Sequence, residues 1–283
     1  MRMALLLLSL FAPLAVANSC VADESFVFSK ILQLGSFTYK MNYSSENDFG
    51  RFQLLQRGKA KLSIDGSHFY VNPNVPCGLP IAGSRVSRHF DRELMVVEWT
   101  GGAHCCHYLY IIALEEAPFL IQKIDLEHSE LPDFEDLDGD GVVEIVMKDW
   151  TFAYWKASYA LSPAPIVILK FDGRKWTYAP SLNKRNGSFL LESRKREIKR
   201  HFKHVMRDAA FGDREDTGAP VLLWDGLLTL IYSGQSREAR SLLEASWPAD
   251  NPNRHRFEYQ FLEQLKQSPY YERLLALNNG TIL

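Results

Sequence analysis

The chain has 283 residues, of which 46% are hydrophobic and 23% charged, as in ordinary globular proteins. These fractions exclude a chain that is disordered, collagen-like or coiled-coil throughout. The formal net charge of −2 gives no overall electrostatic attraction to nucleic acid or to anionic membranes. The length allows one large domain or two domains of ordinary size.

The first 17 residues have the pattern of a secretory signal peptide. A basic residue near the start precedes an almost wholly apolar run at 4–14, and residues 15–17 form an A-x-A cleavage site. We therefore predict cleavage after Ala17, a mature chain that begins at Asn18, and export to the periplasm or the cell exterior. The apolar run is too short for a membrane anchor, and the rest of the sequence shows no transmembrane segment.

All four cysteines lie in the predicted mature chain. An even number of cysteines in an oxidising compartment favours disulfide bonds. Cys105 and Cys106 are neighbours, and neighbouring side chains point in opposite directions on a strand. We therefore favour two bridges, in which Cys20 and Cys77 each pair with one of these neighbours. A bridge between the neighbours themselves, a soft-metal site with the flanking histidines and a redox-active thiol pair are the alternatives.

Residues from 24 to about 180 form short runs rich in β-branched and aromatic side chains, separated by turn residues. This pattern predicts antiparallel strands. Asp65 and Gly66 predict a hairpin turn between the runs on either side of them. The predicted strands cover 36–41, 52–55, 59–64, 68–71, 94–99, 108–114, 119–126, 142–147, 166–171 and 176–178.

The pattern changes after Asn186 and Gly187, where apolar positions begin to recur at helical spacing. We therefore predict an α+β protein. An antiparallel β domain, built like a propeller blade or a sandwich, occupies 18–185, and an all-helical domain occupies 186–283. The predicted helices cover 190–210, 221–232, 236–245, 257–266 and 270–277.

The segment from Asp136 to Glu144 has carboxylates at its first, third, fifth and ninth positions and a glycine at its sixth. Oxygen ligands that converge from one short loop suit Ca²⁺, which takes about six to eight oxygens. An EF-hand would need a glutamate at the twelfth position, where Met147 stands, and would need flanking helices. The sequence therefore predicts a calcium loop of another kind, against the alternative of a solvated acidic turn.

This loop resembles the calcium loop of FG-GAP or VCBS repeats, the integrin-alpha-type β-propeller unit, around 133–147. The resemblance implies a loop within a β-hairpin that binds Ca²⁺ through four side chains and one backbone carbonyl. The departure from the family pattern is glutamate at the ninth position, where aspartate is usual. The implied ligands are Asp136, Asp138, Asp140, the carbonyl of Val142, and Glu144.

A second resemblance rests on the Gly-Gly-Ala-His-Cys-Cys stretch at 101–106, followed by the acidic loop and the aromatic segment 149–165. These features are similar to those of an uncharacterised family of exported bacterial proteins. The resemblance implies a place in the cell envelope and no particular activity.

The sequence contains no Walker loop, no G-x-S-x-G and no H-E-x-x-H. We therefore expect a calcium-binding, non-enzymatic binding or structural module whose ligand is a protein or glycan of the cell envelope, with no role for nucleic acid. One alternative is a secreted hydrolase with Asp133, Glu135 or Asp149 as acid and base. The other is a thiol-redox protein that uses Cys105 and Cys106.

Overall fold

The computed structural model describes residues 27–34, 36–44, 49–71, 93–102, 105–128, 132–184, 198 and 219–283. The predicted signal peptide, Cys20, Cys77 and nearly all of the predicted helix 190–210 lie outside these residues. Within the described residues, strands occupy the N-terminal part and helices follow, so the predicted α+β class is confirmed. None of the described helices is long and apolar enough to cross a membrane.

The described strands form three antiparallel sheets of four strands, and each sheet is an up-and-down meander. This arrangement is also that of a propeller blade. The first sheet contains β1 (Val27–Leu34), β2 (Phe37–Ser44), β3 (Phe49–Gln56) and β4 (Lys59–Gly66). The second contains β5 (His68–Val71), β6 (Glu93–Trp99), β7 (His107–Ala113) and β8 (Phe119–Glu127). The third contains β9 (Asp133–Glu135), β10 (Glu144–Lys148), β11 (Ile166–Phe171) and β12 (Trp176–Tyr178).

The hairpin predicted across Asp65 and Gly66 is wrong. Strand β4 pairs with β3, and β5 pairs with β6, so the turn joins two different sheets. The amide of Ser67 donates a 2.9 Å hydrogen bond to the buried carboxylate of Glu98 on β6, which fixes the crossing to the second sheet. A turn signal in the sequence predicts that the chain changes direction, but it does not determine which strand the next segment pairs with.

The second sheet lies between two hydrophobic cores. Leu94 and Val96 of β6 pack in a core shared with the first sheet. Met95 and Val97 point to the opposite face and pack in a larger core shared with the third sheet and the helices. A strand that is buried on both faces needs no polar alternation, which explains the nearly continuous apolar run of β6.

The helices pack on the third sheet. Tyr178 at the end of β12 donates a 3.0 Å hydrogen bond to the carbonyl of Tyr232, so sheet and helices are also joined by a polar contact. The predicted boundary between 185 and 186 falls outside the described residues. The helices are α1 (Pro180–Asn183), α2 (Val221–Tyr232), α3 (Ser236–Ser246), α4 (Arg254–Leu265) and α5 (Tyr271–Leu277). The last four match the predicted helices to within a few residues.

Candidate metal centre

The acidic loop closes a β-hairpin of the third sheet. It connects β9 to β10, and the last pair before the loop is Glu135 with Glu144. Strands flank the loop on both sides, whereas an EF-hand loop joins two helices. The exclusion of an EF-hand is therefore confirmed.

Two glycines allow the loop to fold around one carboxylate. Gly139 and Gly141 have φ angles of +77° and +80°, a region that is strained for any residue with a β-carbon. Their amides donate hydrogen bonds of 2.8 and 2.9 Å to the two carboxylate oxygens of Asp136. The glycines thus turn the backbone so that the first acidic residue is held inside the loop.

Three of the expected ligands converge. Asp136, Asp138 and Glu144 each offer an oxygen, and these oxygens lie within 4.8 Å of one another. Asp136 and Asp138 are exposed, whereas Glu144 is fully buried at the start of β10. The group therefore combines two carboxylates at the surface with one buried carboxylate beneath them.

Glu144 has one satisfied and one unsatisfied oxygen. Oε2 accepts a 2.8 Å hydrogen bond from the amide of Leu137, but Oε1 is buried and accepts no hydrogen bond. Burial raises the pKa of Glu144, and the negative charge of Asp138 raises it further, while the hydrogen bond from Leu137 and the ammonium of Lys170 oppose the shift. A buried carboxylate oxygen without a hydrogen bond is costly unless a cation compensates its charge. In the structure the ammonium of Lys170 lies 3.5 Å from this oxygen, which marks it as a position where a cation is favoured.

A lysine from the neighbouring strand sits among these carboxylates. The Nζ atom of Lys170 on β11 lies 2.5 Å from Asp138, 2.6 Å from Asp140 and 3.5 Å from Oε1 of Glu144. Its hydrogen bonds to Asp138 and then Asp140 raise the pKa of Lys170, so the ammonium stays charged. Without metal, this ammonium balances part of the negative charge of the loop.

Sequence reasoning missed Lys170, although the signal was present. In the antiparallel pairing of β10 with β11, Ile145 is opposite Leu169, so the next step of the register brings Lys170 to Glu144. Lys170 is the one charged residue in an otherwise apolar strand. Its position beside the acidic loop can be inferred only once the strand pairing is known.

The fourth expected side chain, Asp140, lies slightly apart. Its Oδ1 accepts a 2.7 Å hydrogen bond from the amide of Val142, and its Oδ2 is held by Lys170. The ligand role of the Val142 carbonyl stays a prediction. A site made only of carboxylate and carbonyl oxygens suits hard cations such as Ca²⁺ and Mg²⁺ rather than zinc or copper.

The other acidic candidates occupy two different environments. Asp133 and Glu135 are exposed on β9. Asp149, immediately after β10, is only 1% exposed, and its Oδ2 accepts hydrogen bonds of 2.5 Å from the hydroxyls of Tyr232 and Ser268. Asp149 therefore anchors the helical region to the third sheet. Of the three carboxylates in the hydrolase hypothesis, Asp133 and Glu135 are therefore exposed, and Asp149 is buried and hydrogen-bonded to two hydroxyl groups.

Cys105 and Cys106 are joined to each other by a disulfide. This pairing differs from the one that we favoured, in which each would meet Cys20 or Cys77; both of these lie outside the described residues. The physical reason is that both neighbours precede β7, which begins at His107, so the alternation of side chains along a strand does not apply to them. The thiol-redox hypothesis stays open.

Comparison with known proteins identifies no family. No family model and no solved structure matches the chain. Over 73 residues, which are 25% of the chain, it is 38% identical to an uncharacterised protein, y4bJ, of Sinorhizobium fredii. The matched segment spans only 11% of that protein, so the similarity assigns neither a family nor an activity.

Proposed function

We propose that this protein is an exported, calcium-binding module of the periplasm or cell exterior that acts by binding rather than by catalysis. The observation that supports calcium best is the group of three converging carboxylates, of which Glu144 is fully buried and has its Oε1 3.5 Å from the ammonium of Lys170. The export signal in the sequence and the absence of a known catalytic motif support the rest. A protein or glycan of the cell envelope is the proposed ligand.

Calcium suits this loop better than magnesium. The three carboxylates offer oxygens alone, and Ca²⁺ accepts variable numbers of oxygens at about 2.3–2.6 Å. Mg²⁺ requires near-ideal octahedral geometry at about 2.0–2.1 Å and gives up its water molecules reluctantly. A site with no imposed octahedral geometry therefore favours the larger ion.

Calcium binding would stabilise the fold as well as the loop. The loop leads into β10, where Ile145 and Met147 are buried in the larger hydrophobic core. A cation that holds Glu144 at the start of this strand also holds the strand against its neighbours. In this proposal calcium raises the unfolding free energy of the third sheet, whose outer surface binds a partner.

Thermal unfolding of the purified mature chain tests the proposal. A ligand present at a hundredfold excess over its Kd, and bound only by the folded state, stabilises a protein by about 2.7 kcal/mol. For a domain of this size, each kcal/mol corresponds to about 2–4 °C in Tm. We expect Ca²⁺ to raise Tm by roughly 5–10 °C over the chelator-treated protein, and Mg²⁺ to have a much smaller effect.

Two matched variants complete the test. Asp138→Asn removes one charge from the converging group and should abolish most of the calcium-dependent shift in Tm. Asp133→Asn changes an exposed carboxylate on β9, outside that group, and should leave the shift intact. If verified removal of Ca²⁺ leaves Tm unchanged, or if both variants respond alike, the loop is only an acidic turn.

A further inference from the structure

A cavity of about 250 Å³ lies away from the acidic loop, where the end of β8 meets the β6–β7 connection and the segment after β10. Its wall includes Asp125, Glu127, Trp150 and the disulfide of Cys105 and Cys106. This volume holds several water molecules or one small organic molecule. None of these residues belongs to the candidate metal centre.

Negative charge accumulates around this cavity. Asp125 and Glu127 line it, and the buried carboxylate of Asp149 lies close enough to influence Glu127. Burial first, and then the charges of Asp149 and Asp125, raise the pKa of Glu127 to about 7. The pKa of Tyr270 is also raised, by burial and then by the same three carboxylates. When Asp125, Glu127 and Asp149 are ionised together, their negative charges favour a positively charged ligand.

An aromatic ring stands beside the carboxylates. The ring of Trp150 stacks on that of Tyr159 with 4.8 Å between their centroids and 14° between their planes. The amide of Trp150 donates a 2.7 Å hydrogen bond to Oε2 of Glu127, which ties the ring and the acid together. The Nζ atom of Lys148 lies 5.7 Å from the Trp150 ring centroid, within the range of a cation–π contact, so a bound organic cation would compete with it for the ring.

Carboxylates next to an indole ring and an apolar disulfide match one ligand chemistry particularly well. An organic ammonium ion offers a charge to the carboxylates and alkyl groups to the ring and the sulfur atoms. A neutral sugar would also stack on Trp150, but it would leave the charges of Asp125 and Glu127 uncompensated. A hydrated metal ion would gain nothing from the aromatic and disulfide walls.

We propose that this cavity is a binding site for a small organic ammonium ion, with Glu127 and Asp125 as its counter-charges and Trp150 as its aromatic wall. His128 also lines the cavity. The proposal does not depend on calcium, because it uses none of the loop carboxylates.

A comparison of choline with its uncharged isostere 3,3-dimethylbutan-1-ol distinguishes the effect of the ligand's charge from that of its shape. Titrations of the full mature chain by calorimetry, at about pH 8 where Glu127 is ionised, should show saturable binding of choline and at least about tenfold weaker binding of the alcohol. Equal affinity for the two compounds, or preference for methyl glucoside over both, would overturn the proposal. So would the absence of saturable choline binding up to about 10 mM.

Variants assign the binding to this cavity. Glu127→Gln keeps the shape of the side chain and should weaken choline binding at least about tenfold, with little change for the alcohol. Asp125→Asn is a second charge removal, needed if the first variant unfolds. Glu116→Gln, an exposed carboxylate in the turn before β8, is the control and should bind choline normally. Normal choline binding by folded Glu127→Gln and Asp125→Asn proteins would place the ligand elsewhere and refute the assignment.

Discussion

Replacing Lys170 with methionine separates the two cations that compete for the acidic loop. In the metal-free chain its ammonium lies between Asp138 and Asp140 and 3.5 Å from the buried oxygen of Glu144. Ca²⁺ bound to these carboxylates would have to displace it. Because the side chain of Lys170 is 31% exposed, it can move into solvent when the metal binds. Methionine keeps an unbranched side chain that is one atom shorter and removes the ammonium with its charge and hydrogen-bond donors.

The magnitude follows from the three contacts that are lost. Each partly exposed ion pair contributes up to about 1 kcal/mol. The contact with the buried Glu144 adds a similar amount, although 3.5 Å is long for a direct hydrogen bond. We therefore expect the metal-free Lys170→Met protein to lose about 2 kcal/mol of unfolding free energy, or roughly 4–8 °C in Tm.

The calcium-bound protein should be almost unaffected, since the lysine has already left the carboxylates in that state. The unfolding free energy that the metal-free form loses is therefore gained as calcium-binding free energy. A change of about 2 kcal/mol corresponds to roughly thirtyfold tighter calcium binding. Metal-free and calcium-saturated melting curves, together with a calcium titration of each protein, measure both effects.

The control is Lys175→Met, which removes an exposed lysine from the turn between β11 and β12, away from the three carboxylates. It should change neither Tm nor calcium affinity. If Lys170→Met binds calcium no more tightly than the wild type, the ammonium and the metal do not share a site, and the reasoning from these distances is refuted.

Three further predictions concern the rest of the fold. The pKa of Glu127 is raised above the unfolded value of 4.5 to about 7, so unfolding free energy should fall as pH rises from about 5 to 7. Glu127→Gln should remove this slope in urea unfolding, and an unchanged slope would assign it to another group. The titratable groups around Glu127 are Asp125, His128, Asp149 and Tyr270. Tyr232→Phe removes a hydrogen bond to buried Asp149 and should cost about 1–3 kcal/mol at neutral pH, whereas a loss below about 0.5 kcal/mol would contradict the anchoring role. Peptide mapping without reductant should find Cys105 joined to Cys106, and recovery of either residue linked to Cys20 or Cys77 would contradict that pairing.

Features that are local in the chain could be predicted from the sequence. The acidic loop supplies its carboxylates from within nine consecutive residues, Asp136 to Glu144, so spacing alone brings three of them together. The helix at 221–232 was predicted with the bounds that it has, because its residues are largely apolar and a proline precedes it. Strand β9 was not predicted, because a run of three residues is too short to show the alternation typical of a strand.

Features that depend on pairing between distant segments could not be predicted. Lys170 reaches the loop only through the register of β10 and β11. The cavity combines Cys105, Glu127 and Trp150 with Gln267 from the helical region, and no spacing in the sequence connects them. The incorrect hairpin at Asp65 has the same origin, since the choice of partner strand depends on tertiary packing.

Strand β10 lies between the two proposed sites, and this placement raises the question of whether they influence each other. Glu144 at its start belongs to the metal centre, and Trp150, two residues beyond its end, belongs to the cavity. Because buried Ile145 and Met147 hold the strand between them, we expect it to stay in place whether or not calcium is bound. The affinity for choline should then be the same in saturating Ca²⁺ and in chelator, since coupling requires a ligand that favours one of two conformations. A change of more than about threefold would mean instead that the loop moves β10 on binding calcium, and that the metal regulates the cavity through this strand.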